Sequence, residues 1–216
     1  MEFFKGIHII PGLANDSNIF VIDNEILIDT GTGEYFHQSR HDIENAIDAK
    51  RLRMIVNTHY HFDHTGGNKK FRDWLKIPLA AHSADKNYIE SGRTLSESFK
   101  QSAKIVTVDR ELKDGDLIKT ENFRLFTLHT PGHSAGSICF YEPDKKILVS
   151  GDTVFDGAAG RTDMPGGNYN ELRFSLEKLD KLNIQYLFPG HGLPKIGGVN
   201  FMLKKLLVSM ETSAVI

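Results

Sequence analysis

Residues 58–64, with the sequence THYHFDH, constrain this chain more than any other segment. Three imidazoles and one carboxylate fall within six positions, directly after a strand-like run. Neutral imidazole nitrogen and carboxylate oxygen are ligands for zinc, iron and manganese. A loop this crowded with polar groups is costly to fold unless a cation compensates. The segment therefore predicts a metal site at the end of a strand.

Three further motifs offer the same chemistry at wide intervals. They are TPGHS at residues 130–134, GDT at 151–153 and PGHG at 189–192, and each follows a strand-like run in a turn-rich setting. Side chains in such turns project from the mouths of strands, where residues distant in sequence can gather. With the first cluster the motifs make seven candidate ligands, enough for two metal ions: His59, His61, Asp63, His64, His133, Asp152 and His191.

The remaining histidines have simpler interpretations. The chain contains ten histidines, and half of them lie in these motifs. Isolated surface histidines would not be concentrated in this way. His129 precedes Thr-Pro-Gly, so we expect it to support the ligand four residues later rather than to bind metal itself. His82 follows a strand and opens a short polar stretch, which predicts a strand-end or cap residue.

Composition limits the class of protein. A length of 216 residues predicts one domain, spanning residues 1–216, with ample core. A formal net charge of −2 without a long basic run argues against a nucleic-acid partner. The single cysteine, Cys139, excludes an intramolecular disulfide, and its apolar neighbours predict a buried structural thiol. The start of the chain does not resemble a signal peptide, and no segment approaches the ~20 apolar residues of a membrane span. We therefore expect a cytoplasmic protein without a membrane partner.

Hydrophobic periodicity predicts short strands and helices in two successive halves. Asp23-Asn24 is a typical tight-turn pair between two strands, and Asn168 with Glu171 three residues later is a helix-cap pair. Two halves of this kind imply two sheets face to face with helices outside them. The predicted strands are residues 7–10, 19–22, 25–28, 53–57, 79–81, 123–128, 137–141, 146–150 and 186–188, and the main predicted helices are 34–49, 68–75, 83–90, one following residue 168, and 199–210.

The four motifs, in this order and context, are similar to the signature motifs of the metallo-β-lactamase superfamily, and LIDTG at residues 27–31 resembles its early strand-turn motif. The resemblance covers most of the chain. It implies an α+β fold, a four-layer αββα sandwich of two mixed β-sheets with helices on the outer faces. It also implies a binuclear centre with His59, His61 and His133 on one metal, Asp63, His64 and His191 on the other, Asp152 as the bridge, and Asp29 supporting the ligands.

One branch of this superfamily resembles the chain in a further loop. GRTD at residues 160–163 and PGG at 165–167 look like the glyoxalase II-like branch, the hydroxyacylglutathione hydrolases, and its relatives the persulfide dioxygenases. Asp152 stands where the commonest metallo-β-lactamases place a cysteine, and those enzymes lack a histidine at the position of His64. Antibiotic hydrolysis is therefore not expected, and a small thioester or related ester is the expected substrate.

The chemistry of such a centre follows from its ligands. We expect two divalent ions, zinc first, with iron or manganese as the alternatives. Ions ~3.5–4 Å apart share a water and lower its pKa toward ~7, which supplies hydroxide at neutral pH. Asp63 would orient this nucleophile, and Asp152 would bridge the ions, so these are the two expected catalytic carboxylates. A thioester suits the site because a thiolate leaves without a strong general acid.

Three side chains are predicted to contact the substrate. Arg161 lies on a glycine-rich loop shortly after a candidate ligand, so it could hold an anionic group, with an ion pair to Asp163 as the alternative. Tyr60 and Tyr169 could form an apolar wall for the acyl group, and burial in the core is the alternative for such aromatic residues.

Other activities share the same motifs. A persulfide dioxygenase-like oxidoreductase would hold one iron through His59, His133 and Asp152, and a lactonase of the same fold is a further alternative. Persulfide dioxygenases often carry Gly-Cys-Gly before Arg-Thr-Asp, whereas this chain has Ala-Ala-Gly at residues 158–160, which favours the hydrolase. A non-catalytic metal-stabilised binding protein ranks last, because all seven ligands are present.

Overall fold

Apolar strands form two mixed β-sheets in the computed structural model of this chain, which describes residues 2–213. The described residues divide into two compact units. The first contains the residues up to Leu112 together with Lys119–Phe123, and the second contains Lys113–Ile118 and the residues from Arg124 onward. The single domain over residues 1–216 stays a prediction.

The first unit contains a seven-stranded sheet whose strands lie in chain order. Its strands are β1 (Glu2–Phe4), β2 (Ile7–Ile10), β3 (Ile19–Ile22), β4 (Ile26–Ile28), β5 (Met54–Val56), β6 (Leu79–His82) and β7 (Arg110–Leu112). Its helices are α1 (Phe36–Ala46), α2 (Phe62–Thr65), α3 (Asn68–Leu75) and α4 (Ser83–Ser91), with 3₁₀ turns at Ala49–Arg51 and Ser96–Phe99.

Strand direction in this sheet places loops at a common edge. Strands β1 to β4 are antiparallel, and the β3–β4 turn contains Asp23 and Asn24 at φ 55° and 59°, as a type I′ turn requires. Strands β4, β5 and β6 are parallel neighbours. The loops that leave their carboxyl ends therefore emerge side by side. Apolar residues of the strands, such as Val21, Leu27 and Ile55, pack with residues of the helices in one core cluster.

The second sheet has six strands in the order β15, β14, β11, β10, β9, β8, and a two-stranded ribbon, β12–β13, accompanies it. The strands are β8 (Leu117–Lys119), β9 (Arg124–His129), β10 (Ile138–Glu142), β11 (Ile147–Gly151), β12 (Val154–Phe155), β13 (Ala158–Ala159), β14 (Tyr186–Pro189) and β15 (Lys195–Ile196). The helices of the second unit are α5 (Tyr169–Asp180) and α6 (Val199–Ser213).

Three strands of this sheet run in the same direction. Strands β9 and β11 are both antiparallel to β10, and β14 is parallel to β11. Their carboxyl ends therefore share one edge, and each is followed by one predicted metal-binding motif. Leu148, Leu176 and Leu203 belong to the core cluster that joins this sheet to α5 and α6.

The predicted elements are confirmed with small shifts at their ends. The cap of α5 is also as predicted, since Asn168 accepts a hydrogen bond from the Glu171 amide at 3.1 Å. Strands β1, β7, β8, β12, β13 and β15 were not predicted, because none of them contains three consecutive apolar residues as the equally short β4 and β5 do. The histidine segment also holds an unexpected helical turn, α2. No helix among the described residues is long and apolar enough to span a membrane.

Candidate metal centre

Two imidazoles face each other in the loop that leaves β5. Nε2 of His59 lies 3.1 Å from Nδ1 of His61, and both side chains are buried. Two nitrogens bound to one tetrahedral zinc at ~2.05 Å are ~3.3 Å apart. The two rings are therefore spaced as ligands of a single cation.

A buried carboxylate holds the rest of this loop. Asp29 follows β4 and accepts three hydrogen bonds: from the Thr58 amide at 2.8 Å, the Thr58 hydroxyl at 2.7 Å and Nδ1 of His64 at 2.8 Å. Because Nδ1 of His64 donates, its Nε2 keeps the lone pair, and this atom lies 3.8 Å from an oxygen of Asp63. This is the geometry of an imidazole oriented to bind metal through Nε2.

The same carboxylate reaches a second ring through a hydroxyl. Thr58 donates its hydroxyl proton to Asp29, so the hydroxyl oxygen can accept from Nδ1 of His59 at 3.1 Å. That bond leaves Nε2 of His59, the atom that faces His61, with its lone pair. One buried aspartate thus sets the tautomers of two candidate ligands.

The second unit orients its histidine with a backbone carbonyl. Nδ1 of His133 donates to the carbonyl oxygen of Arg161 at 2.8 Å, so Nε2 carries the lone pair. One oxygen of Asp152 lies 3.6 Å from Nε2 of His133 and 3.6 Å from Nε2 of His191. These distances are too long for hydrogen bonds but close to the spacing of atoms that share a cation. Asp152 is therefore placed between two imidazoles as a bridging ligand would be.

Close packing fixes the loops of His133 and Asp152 in this unit. A Cβ atom at Gly160 would lie 2.0 Å from the Asp152 carbonyl oxygen and 3.3 Å from Cβ of His133. The hydroxyls of Thr130 and Thr153 are 2.9 Å apart, which joins the histidine loop to the aspartate loop. Only glycine permits the first contact, and the second is a buried bond between neighbouring motifs.

Burial also defines the cysteine. Cys139 is fully buried in β10, and burial raises the pKa of its thiol to about 11. A neutral buried thiol is a poor nucleophile and a poor metal ligand. The prediction of a structural cysteine is confirmed.

Each unit thus gathers its own share of the predicted ligands. All seven residues are among the histidine and aspartate side chains that could hold a metal ion. The donor set of nitrogen and carboxylate oxygen suits zinc or iron. The first unit supplies His59, His61, Asp63 and His64, and the second supplies His133, Asp152 and His191.

The predicted supporting residues lie behind the ligands. Asp29 contacts His64 directly, and His129 contacts the loop of its ligand, with Nε2 at 2.9 Å from the Ala135 carbonyl oxygen. His82 caps α4 by accepting from the Ala84 amide at 3.3 Å, as predicted. The supporting roles toward a metal stay predictions.

The predicted substrate contacts need one correction. Tyr60 is 1% exposed, packs in the core and stacks on Tyr88, so its burial argues against contact with a substrate. Burial, and then the charge of Asp85, raises the pKa of Tyr60 to about 12. Tyr169 is partly exposed, and its hydroxyl donates to the Met210 carbonyl oxygen at 2.6 Å.

Arg161 adopts the alternative that the sequence left open. Its guanidinium makes two hydrogen bonds to Asp163, at 2.9 and 2.7 Å, and the side chains are 70% and 66% exposed. The hydrogen bonds from Arg161 lower the pKa of Asp163 to about 2. An exposed pair of this kind contributes little stability, so the guanidinium remains able to exchange partners.

Sequence reasoning missed four residues that hold the motifs. Thr58, Thr130 and Thr153 bond through their hydroxyls, and Asp85 accepts from the Tyr60 amide at 2.9 Å. The threonines had a usable signal, since each lies inside or beside a ligand motif. Asp85 had none, because it lies on a different helix.

These observations define a class before they define a family. Two mixed sheets with helices carry histidine and aspartate at their strand ends, which is the arrangement of a metal-dependent enzyme rather than of a structural protein. Residues 13–191 match the metallo-beta-lactamase superfamily. The chain belongs to this superfamily, and metallo-hydrolases are among its relatives.

Three curated relatives illustrate the range of activities. A probable metallo-hydrolase of Methanocaldococcus jannaschii is 32% identical and aligns over 84% of this chain and 89% of its own length. The human acyl-coenzyme A thioesterase MBLAC2 is 32% identical, over 82% of this chain and 74% of its length. The hydroxyacylglutathione hydrolase GloC of Haemophilus influenzae is 31% identical, over 86% and 90%.

Solved structures confirm the fold. The BLEG-1 B3 metallo-beta-lactamase is 27% identical with a TM-score of 0.75, over 88% of this chain and 93% of its own. TTHA1623 in a di-iron-bound form is also 27% identical with a TM-score of 0.74, over 88% and 94%. The predicted α+β fold with two mixed sheets, the metallo-β-lactamase fold, is therefore confirmed.

Proposed function

We propose that this chain is a metal-dependent hydrolase of a thioester or related ester, similar in activity to hydroxyacylglutathione hydrolases. The observation that carries the proposal is the orientation of the ligands: Nδ1 of His64 and of His133 donates a hydrogen bond, so the lone pair of each ring lies on Nε2. Relatives named as an acyl-coenzyme A thioesterase and a hydroxyacylglutathione hydrolase support the thioester class.

The proposed centre is binuclear. The superfamily match, which runs through both units, supports it. Zinc is the expected metal, and the di-iron-bound relative makes iron the leading alternative. His59, His61 and His133 would hold the first ion, Asp63, His64 and His191 the second, and Asp152 would contribute to both.

The chain's own residues then divide the work of hydrolysis. Two divalent ions held by these residues would supply a water with a pKa near ~7 and a polarised carbonyl. Asp63, 16% exposed, is the carboxylate that orients the water and can receive its proton. A C–O bond forms at the carbonyl and the C–S bond breaks. The thiolate that leaves is a weak base, so no strong acid is required.

Metal content tests the centre. We expect two ions per chain in the wild type and the loss of at least one in Asp152→Ala, because two cations without their bridge repel each other. His129→Ala and His82→Ala are the controls and should keep both ions, since the ring of His129 contacts the Ala135 carbonyl oxygen and that of His82 accepts from the Ala84 amide. Unchanged stoichiometry in Asp152→Ala would contradict the bridge, and metal loss from either control would contradict the ligand set.

A substrate panel tests the reaction. Thioesters of glutathione and of coenzyme A should be hydrolysed under anaerobic conditions, with one thiol released per turnover. A lactone, a β-lactam and a glutathione persulfide with oxygen uptake represent the competing activities. Oxygen consumption on the persulfide without thioester hydrolysis would establish the oxidoreductase instead.

A further inference from the structure

Helix α4 contacts the one residue that separates His59 from His61. Asp85 in the first turn of α4 accepts a hydrogen bond from the Tyr60 amide at 2.9 Å. Tyr88, three residues further, stacks on the Tyr60 ring with centroids 4.5 Å apart and an interplanar angle of 26°. Residues three apart share a helix face. A single face of α4 therefore holds both the backbone and the ring of Tyr60.

The Asp85 carboxylate lies in surroundings that favour its negative charge. It is fully buried, where an ionised group is costly unless it is well bonded. The amino end of α4 favours a negative charge, and His82 caps the same end through the Ala84 amide. The amino end of α4 thus offsets the cost of burying the carboxylate that holds the ligand loop.

The sheet brings this helix to the loop. Strands β5 and β6 are parallel neighbours, paired through Ile55 with Leu79 and Val56 with Ala80. The histidine loop leaves the end of β5, and α4 begins directly after β6. The position of Asp85 is therefore tied to the sheet and not to the loop that it holds.

We infer that Asp85 and Tyr88 are positioning residues that hold His59 and His61 at the spacing of one metal ion. The peptide groups on either side of Tyr60 connect it to the two histidines, so anchoring Tyr60 limits the movement of both rings. The observed spacing of 3.1 Å between the ring nitrogens is the result. The inference rests on the proposed metal centre and gives the buried Tyr60 a function other than substrate contact.

Metal affinity of matched variants tests the inference. Asp85→Ala should weaken the binding of one ion about 10- to 100-fold, the usual effect of removing a group that orients a ligand, and alter the cobalt(II) spectrum. Asp85→Asn keeps an acceptor for the Tyr60 amide and should recover most of the affinity. Lys86→Gln, the next residue along, breaks a surface pair with Glu111 and should bind metal like the wild type. Competition with a chelator measures the affinity for each of the two ions.

The outcomes separate this inference from the proposed function. A wild-type chain that binds no metal overturns both. A wild type with two ions and an Asp85→Ala affinity within about threefold of it overturns the positioning role alone. If circular dichroism shows that Asp85→Ala does not fold, Tyr88→Leu removes the stacking and leaves the carboxylate. It should weaken the same ion several-fold, and equal affinity overturns the inference.

Discussion

The two units present metal ligands by different means. In the first unit all four candidates come from one short segment, and a buried side chain, Asp29, orients two of them. In the second unit the three candidates come from three separate loops, and a backbone carbonyl orients His133. Close contacts at Gly160 and between two threonine hydroxyls hold the loops of His133 and Asp152.

The difference separates two kinds of support. A carboxylate that accepts several hydrogen bonds holds its partners through its charge, and its removal leaves buried donors unsatisfied. A backbone carbonyl that accepts a hydrogen bond from a histidine is held in place by the packing of its loop. An added atom that clashes with this packing displaces the carbonyl. We therefore expect the first unit to respond to changes of charge and the second to changes of volume.

The largest effect should come from the Gly160→Ala substitution. The added methyl group meets the Asp152 carbonyl oxygen at 2.0 Å and forces the segment away from its carbonyl contact with His133. We expect a loss of about 3 kcal/mol in urea unfolding, at the upper end of overpacking costs, with weaker metal binding. Gly157→Ala is the comparison: its added Cβ would have nothing within 4 Å, but its φ of 82° strains an alanine, so we expect only the loss of about 1 kcal/mol that strain alone produces. Equal losses in both variants would point to backbone strain at any glycine of this loop.

Asp29→Asn should follow, and it examines charge without changing shape. Asparagine tolerates the φ of 60° at this position as aspartate does, so the backbone is retained. The side-chain NH2 of the asparagine then faces a hydrogen-bond donor, so one bond is lost. We expect about 2 kcal/mol of destabilisation of the metal-free protein, the contribution of a hydrogen bond to a charged acceptor. The control is Asp42→Asn on α1, which keeps an acceptor for the bond from Gln38 and should be neutral. A stable Asp29→Asn protein with normal metal affinity would contradict the contrast between the units.

Thr153→Val should have a smaller effect. It keeps the volume and removes the hydroxyl that bonds to Thr130, so we expect a loss of about 1 kcal/mol. Thr127→Val is a matched control in β9, since the buried Thr127 hydroxyl has no hydrogen-bond partner among the described residues. That variant should be neutral or slightly more stable. Urea unfolding of both proteins decides whether the bond between the two loops contributes stability.

Arg161→Ala should leave stability and metal affinity unchanged, because the carbonyl that serves His133 remains. If the guanidinium binds an anionic substrate group, KM for an anionic thioester rises roughly 10- to 100-fold and KM for a neutral ester does not. Asp163→Ala releases the guanidinium from its ion pair and is the informative control. An equal rise in KM for both variants and both substrates would make Arg161 a structural partner of Asp163.

Much of this site could be predicted because ligands are chemically distinct. His59, Asp152 and His191 were identified from residue type and turn context, and the strands that precede their motifs from apolar runs. The error at Tyr60 has a physical cause. An aromatic ring beside a ligand can point to a pocket or to the core, and sequence spacing does not distinguish the two.

By itself the sequence determined which atoms can bind metal and which strands carry them, because imidazole, carboxylate and apolar alternation are properties of single residues and short segments. Only the tertiary structure decided how those atoms are aimed. Any residue in place of Arg161 would supply the same backbone carbonyl. Asp85 reaches Tyr60 because two parallel strands place α4 beside the loop. Every residue has a carbonyl, and long-range pairing is set by the whole sheet, so neither leaves a local mark in the sequence.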